Sequence, residues 1–320
     1  MSERKPNFFQ VGAMKAGTTS MHTYLAQHPD IYMSPRKEPR WSSFVPDLDS
    51  GNEADGRYFT RDRDEYLDHF RGAASEKVVG ESSHVYLPST EAARLIHEFA
   101  PDARILIMLR DPVTSIHSRH QQNVWMGRED ILDFASALAA ESDRRAGRRL
   151  PPDTPYYTGL RYRESCTMTP QVQRYVDVFG RDRVHMALLE DLGSKPLETY
   201  RGVLEFLGVD PDFVPAEMAV VNPGSGLRSV KLHQLRSRVA PIEKGVRRVM
   251  PQSLFRVLSA PLRAIWSANK RPAPRSPMAP ELEEELTRYF APDVASLSEL
   301  VGRDLSQAWP RFQRPEVAGE

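Results

Sequence analysis

The sequence predicts an α/β fold: a P-loop-like, three-layer α/β/α arrangement on a central parallel sheet, with helical insertions and a helical C-terminal arm. Three observations lead there. Short apolar runs alternate with helix-periodic stretches from residue 7 to residue 208, the pattern of βα units. One run, "ILIML" at 105–109, is continuously apolar, as suits a parallel strand covered on both faces. The first run enters a loop with two glycines and then a helix, so backbone N–H groups and a positive helix end are offered to an anion.

Taken in order, "NFFQVGA" (7–13) reads as a buried strand and "TSMHTYLAQHP" (19–29) as a helix, with Met21, Tyr24 and Leu25 on one face and Pro29 at its end. "KVVGESS" (77–83) is a second strand, and "STEAARLIHEFAP" (89–101) a helix capped by Ser89 or Thr90. "ARILIMLRDP" (103–112) is the clearest strand, stopped by Pro112 and followed by a helix over 113–125. A helix over 169–180 closes at Gly180, a strand spans 182–192, and a helix over 196–208 closes at Gly208. A proline-rich linker (269–280) precedes a last helix. Two stretches break the alternation: 41–75, polar and aromatic, and 126–165, rich in Arg, Asp and Pro. Both read as substrate-side insertions. The chain is expected to be a single domain over 1–320, with a basic helical arm at 228–275 and a C-terminal helical segment at 276–312.

The 320 residues are 40% hydrophobic and 27% charged, enough for a sizeable core. The formal net charge is zero, so nothing global points to nucleic acid. The charge is uneven, however: residues 228–275 hold twelve Lys and Arg against the single acid Glu243. Amphipathic patterning with basic polar faces recurs over 230–268. It fits either a helical arm packed on its own chain or a second subunit, or peripheral contact with an anionic membrane face. The one cysteine, Cys166, excludes an internal disulfide, and the N-terminus lacks a signal-peptide pattern. A cytoplasmic protein is expected, with peripheral contact at the inner membrane face as the alternative.

Three stretches carry chemistry. In "VGAMKAGTTS" Gly12 and Gly17 are spaced like a phosphate loop, but Lys15 lies inside it and Thr18, Thr19 and Ser20 follow the second glycine. A nucleoside triphosphatase places lysine after that glycine and binds Mg²⁺ through the next hydroxyl. No carboxylate suited to Mg²⁺ is evident, although Asp111 follows the apolar strand; a metal-free phosphosulfate suits the loop better. In "LRDPVTSIHS" Arg110 leaves a strand end and Ser118 lies two helical turns on, where both can reach one phosphate, or Arg110 and Asp111 form a surface pair. In "SPRKEPRW" Pro35 and Pro39 bracket Arg36, Lys37 and Glu38 in a non-helical stretch, with Glu38 a candidate base and the cations candidate anion ligands.

Together these stretches resemble the sulfotransferases that use 3′-phosphoadenosine 5′-phosphosulfate (PAPS), in particular the bacterial branch similar to the heparan sulfate sulfotransferases. The family opens with "F-x-x-x-G-x-x-K-[CSA]-G-T-T-S-L", "QHP-x-[IV]" and "SP-x-KEP-x-[FW]-F", and this chain reads "FFQVGAMKAGTTSMHTYLAQHPDIYMSPRKEPRW". "LRDPVTSIHS", "RYVDVFGRDRV", "LLEDLGSKPLETYRGVLEFLGVDP" and "LVGRDLSQAW" continue the likeness in order. The resemblance implies that Lys15, Ala16, Gly17, Thr18, Thr19 and Ser20 hold the 5′-phosphosulfate. It implies that Arg110 and Ser118, with Arg228 as a further basic residue, hold the 3′-phosphate. Glu38 matches the carboxylate base. The implied reaction passes a sulfuryl group to a hydroxyl or amine of a small-molecule, glycan or lipid acceptor and releases PAP, with no metal. Two departures stand out. "GESSHVYL" (80–87) has His84 where relatives have proline, making it a second candidate base, and Ser82 where heparan-type enzymes have lysine. "SCTMTPQVQRY" has Met168 where an aromatic is usual. Two alternatives remain, a Mg²⁺-dependent P-loop kinase and a non-catalytic nucleotide-binding relative. A homo-oligomer is compatible with the sequence.

Overall fold

Five short strands pair into one sheet in the order β2-β3-β1-β4-β5, every pairing parallel. They are β1 (Phe8–Gly12), β2 (Ile31–Met33), β3 (Val78–Ser82), β4 (Arg104–Leu109) and β5 (Val184–Leu188). The computed structural model describes residues 4–50, 53–151, 154–218, 225–227, 259–261, 270–272 and 277–313. β1 and β3 are buried at every position, and β4 at every position but Arg104, so both faces of the sheet's centre are covered. Each fully buried Leu, Ile or Phe there contributes about 1.5–3 kcal/mol of apolar burial.

The helices that follow the strands are α1 (Thr18–Leu25), α2 (Glu53–Tyr58), α3 (Arg63–Asp68), α4 (Ala92–Phe99), α5 (Pro112–Met126), α6 (Phe134–Ala139), α7 (Glu141–Arg145), α8 (Tyr162–Cys166), α9 (Thr169–Phe179), α10 (Leu189–Ser194), α11 (Pro196–Leu207) and α12 (Pro280–Val301). The sequence-predicted strands and helices of the α/β core are all present. The N-cap of the fourth helix is Glu91 rather than Ser89 or Thr90, although Ser89 Oγ accepts from Ala92 N at 3.1 Å. Two further differences have local causes. β2 was missed because three residues carry too little periodicity. The strand expected over 182–192 stops at Leu188, and Leu189–Ser194 turns helical.

The stretch 41–75 is more core than loop. Trp41 stacks on Tyr66 with centroids 4.8 Å apart, and Phe44 meets Tyr66, Tyr86 and Phe99 edge to face. The stretch 126–165 holds three short helices. The two stretches meet where the buried Asp55 accepts from Tyr156 N at 2.8 Å. Most of the basic arm at 228–275 lies outside the described residues; Ser225–Leu227 and Lys270–Pro272 pair antiparallel at its two ends. Among the described residues no helix is long and apolar enough to cross a membrane.

Candidate active site

Parallel strands deliver their C-terminal ends to one edge of the sheet, and the chain reverses direction between β1 and β4. The loop after β1, Ser34–Arg40 after β2, Ser83–His84 after β3 and Arg110 after β4 therefore gather on that edge. These are the sequence-predicted stretches, now brought together.

The loop Ala13–Gly17 needs its glycine. Gly17 ends it at φ +81°, and a β-carbon there would come 2.7 Å from Leu189 Cδ1. Lys15 also sits at positive φ, +65°, an uncommon conformation for a lysine. Its carbonyl accepts from Arg110 Nη1 at 2.9 Å, and the Met14 carbonyl accepts from Ser115 Oγ at 3.2 Å. The loop is thus fixed from β4 and α5, with its remaining N–H groups at the start of α1. Thr18 and Ser20 are buried; Lys15, Gly17 and Thr19 are half-buried.

Arg110 does not pair with Asp111. It is buried against the loop, while Asp111 caps α5, accepting from Val113 N at 2.9 Å, and bonds Arg311 Nε at 2.6 Å. Ser118 is buried two turns into α5. Arg228 lies outside the described residues.

Glu38 is the hub of the opposite wall. Its backbone is at φ +68°, and Arg40, two residues on, is at +53°. Oε1 accepts from Lys37 Nζ at 3.2 Å; Oε2 accepts from Arg40 Nε at 2.8 Å and lies 2.8 Å from His84 Nδ1. Lys37 Nζ also reaches Thr18 Oγ1 at 3.5 Å, linking this wall to the loop. Burial pushes the Glu38 carboxyl up, but His84, Arg40 and Lys37 outweigh it and hold it well below the usual carboxylate range. Glu38 is thus a carboxylate engaged on both oxygens and a weak base. Burial lowers His84 from its ordinary value, against the pull of Glu38. An ionised Glu38 places the imidazole proton on Nδ1 and leaves a lone pair on Nε2. That Nε2 is buried and has no hydrogen-bond partner among the described residues.

The Glu38 wall rests on a buried network that the sequence did not reveal. Glu81 is fully buried and accepts from Tyr66 Oη at 2.6 Å, Ser83 Oγ at 2.6 Å and Tyr86 Oη at 3.0 Å. Ser83 Oγ in turn accepts Arg40 N at 3.1 Å, and Tyr86 Oη accepts Trp41 N at 3.0 Å. Burial pushes Glu81 up to about 7, against the lowering by its three hydroxyl donors. Arg40 also lies over the Tyr58 ring, 3.9 Å from its centroid. Nearby, His22 Nδ1 lies 2.9 Å from Ser82 Oγ, which donates to Gln10 Oε1 at 2.6 Å. Burial, then Lys37, bring His22 down to about 4, so it is neutral near pH 7.

A family profile described as "Sulfotransferase family" matches residues 6–213. The chain belongs to the sulfotransferase family. A solved sulfotransferase from Alicyclobacillus acidocaldarius is 34% identical, with a TM-score of 0.70 over 96% of this chain and 99% of that one. Carbohydrate sulfotransferase 15 of Rattus norvegicus is 29% identical over 43% of this chain and 29% of its own length. The bifunctional heparan sulfate N-deacetylase/N-sulfotransferase 4 of Mus musculus is 23% identical over 98% of this chain and 31% of its own length. The chain thus spans about a third or less of the length of these two curated relatives. The P-loop-like α/β fold and the predicted family both stand.

Proposed function

We propose that the chain transfers a sulfuryl group from PAPS to an acceptor hydroxyl or amine and releases PAP. The observation that carries this reading is the arrangement at the sheet edge: a lysine-bearing glycine loop faces a Glu38–His84 pair across Lys37. The residues fit a donor with two anionic ends. Lys15, Ala16, Gly17, Thr18, Thr19 and Ser20 receive the 5′-phosphosulfate on N–H groups, hydroxyls and the α1 N-terminus. Arg110 and Ser118 receive the 3′-phosphate; Arg228 keeps its sequence-based assignment to the same end.

In the transfer, the acceptor oxygen forms a bond to sulfur while the bond from sulfur to the phosphate oxygen breaks. Lys15 stabilises the negative charge that grows on that leaving oxygen. The acceptor proton passes to His84 Nε2, and Glu38 holds the imidazole in the receiving tautomer and stabilises the imidazolium. This order reverses the weight given by sequence, where Glu38 led and His84 followed. The low basicity of Glu38 and the unpartnered Nε2 support the reversal. Segments 41–75 and 126–165 form the acceptor side. The names of the relatives support a glycan acceptor. A kinase reading loses ground because Asp111, its nearest Mg²⁺ carboxylate, is engaged as a helix cap and with Arg311.

Calorimetric titration with PAP, ADP and ATP, with and without Mg²⁺, tests the donor site. Metal-independent binding of PAP, tighter than that of ADP and weakened at least tenfold by Arg110→Ala, is expected. Mg²⁺-dependent ATP binding without PAP binding would overturn the reading.

A further inference from the structure

Seven arginines stand between residues 126 and 165. Six of them pair with a carboxylate, the exposed Arg145 and Arg148 included. Arg128 alone has no carboxylate partner among the described residues, although it is half-buried. Its backbone is fixed. α5 ends at Gly127, whose φ of +76° turns the chain, and Arg128 N then donates to the Asn123 carbonyl at 2.8 Å. Thr154 Oγ1 donates to the Arg128 carbonyl at 2.7 Å. The next side chain, Glu129, is turned inward to Arg144 and does not neutralise Arg128.

The side chain is held on an aromatic ring. Its guanidinium carbon lies 5.1 Å from the centroid of Tyr58, the last residue of α2. The same ring carries Arg40, at 3.9 Å. The two cations differ in what their forks hold. Arg40 is engaged with Glu38 through both Nε and Nη2. The Arg128 fork has no such anion. Tyr58 belongs to the stretch 41–75 and Arg128 to the stretch 126–165, so both stretches meet here beside the Glu38–His84 pair. Lys37 and Arg40 already share the Glu38 carboxylate, and Arg128 adds to this excess of positive charge. A planar fork positioned on a ring matches a carboxylate or sulfate, and a neutral acceptor would leave it unused.

We propose that Arg128 binds an oxyanion of the acceptor, a carboxylate or a sulfate ester, on a part of the molecule adjoining the hydroxyl that meets the Glu38–His84 pair. Arg128 is half-buried and not enclosed, so the acceptor passes over it and needs no cavity there. The placing of the hydroxyl rests on the sulfuryl-transfer reading; the anion site itself does not. Arg128 is a specificity residue and touches no reacting atom.

The test is calorimetric titration of the full chain, saturated with PAP, with three tetrasaccharides. Unsulfated chondroitin carries carboxylates only, its carboxyl-reduced form is neutral, and that neutral form sulfated at the 6-hydroxyl of its hexosamines carries sulfates only. Binding of one or both charged forms about tenfold tighter than the neutral form, or more, is expected. Arg128→Gln loses that difference, and Arg128→Lys keeps part of it. Affinity for PAP and for the neutral form stays within about twofold in both variants, whereas a side chain that merely clamped Tyr58 would weaken all three sugars together. A preference for one charged form alone assigns the anion to carboxylate or to sulfate. Equal binding of the three forms by wild type, or no detectable binding of any, overturns the proposal. So does a difference that survives in Arg128→Gln. Should PAP itself fail to bind, the sulfuryl-transfer reading falls, and the same three sugars titrated into the unliganded chain decide the anion site separately.

Discussion

His84 Nδ1 lies 2.8 Å from Glu38 Oε2, joining the segment after β2 to the turn after β3. Both Glu38 oxygens are engaged, Oε1 by Lys37 and Oε2 by Arg40 as well as His84. The pair therefore works as a unit, and removing either member disables it. Glu38→Gln, His84→Asn and the double variant are expected to lower kcat by about 10²–10⁴, with the three within roughly tenfold of one another. The pH profile follows from the sign of the His84 shift. Burial lowers its pKa below 6.5, so the imidazole is neutral and competent at pH 7 and activity falls only as pH drops through that lowered value. Steady-state kinetics against pH checks both. A near-normal His84→Asn beside an inactive Glu38→Gln would return the base to Glu38 itself.

The proposed donor half of this site was legible in the sequence because its signals are local. Gly12, Lys15, Gly17 and Thr18 fall within one turn between a strand and a helix, and Arg110 marks the end of the most apolar strand. In the proposed acceptor half, Glu38 and His84 were each named from the sequence, but their pairing was not legible. Glu38 and His84 meet only because β2 lies beside β3, and no local pattern encodes that strand order. Charge was also misleading. The Arg- and Asp-rich stretch 126–165 read only as a substrate-side insertion, yet Glu129 and Arg144 are buried there as a pair. The choice between an Arg110–Asp111 pair and separate roles was open from spacing, and the glycine loop decided it by taking Arg110.

Glu81 should act on the reaction without touching the acceptor. Its hydroxyl partners Ser83 and Tyr86 hold the N–H groups of Arg40 and Trp41, and so the strained turn that presents Glu38. Tyr86→Phe removes one of these anchors and is expected to lower kcat about tenfold or less while leaving PAP affinity unchanged. The carboxyl itself weakens the fold at high pH. Its folded pKa, about 7, stands above the ordinary value of 4.5, so the native state binds the extra proton between those values. Stability from this group is thus greatest below about 4.5 and falls as pH rises through 7, by roughly 3 kcal/mol in all. The unfolding temperature of Glu81→Gln relative to wild type, followed from pH 5 to pH 8.5, checks the sign. The variant should gain on wild type as pH rises; a pH-independent difference would refute the shifted carboxyl.

Arg144 and Glu129 make a buried pair tied to Tyr162 and the Leu160 carbonyl. Arg144 Nη2 donates to Glu129 Oε1 at 2.7 Å, and Tyr162 Oη donates to Oε2 at 2.9 Å. Breaking it from one side strands a charge. Arg144→Met or Glu129→Gln alone is expected to cost about 3–5 kcal/mol, and the double replacement clearly less than the two together. Chemical denaturation of the three variants measures the coupling. Simple additivity would mean that the two groups do not depend on each other.

Gly17 links stability and ligand binding at one atom. At φ +81°, a side chain is strained there, and a β-carbon would lie 2.7 Å from Leu189 Cδ1 on α10. Gly17→Ala therefore has to shift either the loop or the helix behind it, at a cost of about 1–3 kcal/mol. The loop is the softer of the two, and it carries the N–H groups that start α1. PAP affinity should accordingly fall at least tenfold in Gly17→Ala, more than its loss of unfolding temperature would suggest. Gly193, on α10 itself, is the control: a β-carbon there meets nothing within 4 Å. Gly193→Ala should leave PAP affinity unchanged and unfold no earlier than wild type. Equal effects of the two substitutions would mean that α10, and not the loop geometry, governs the site.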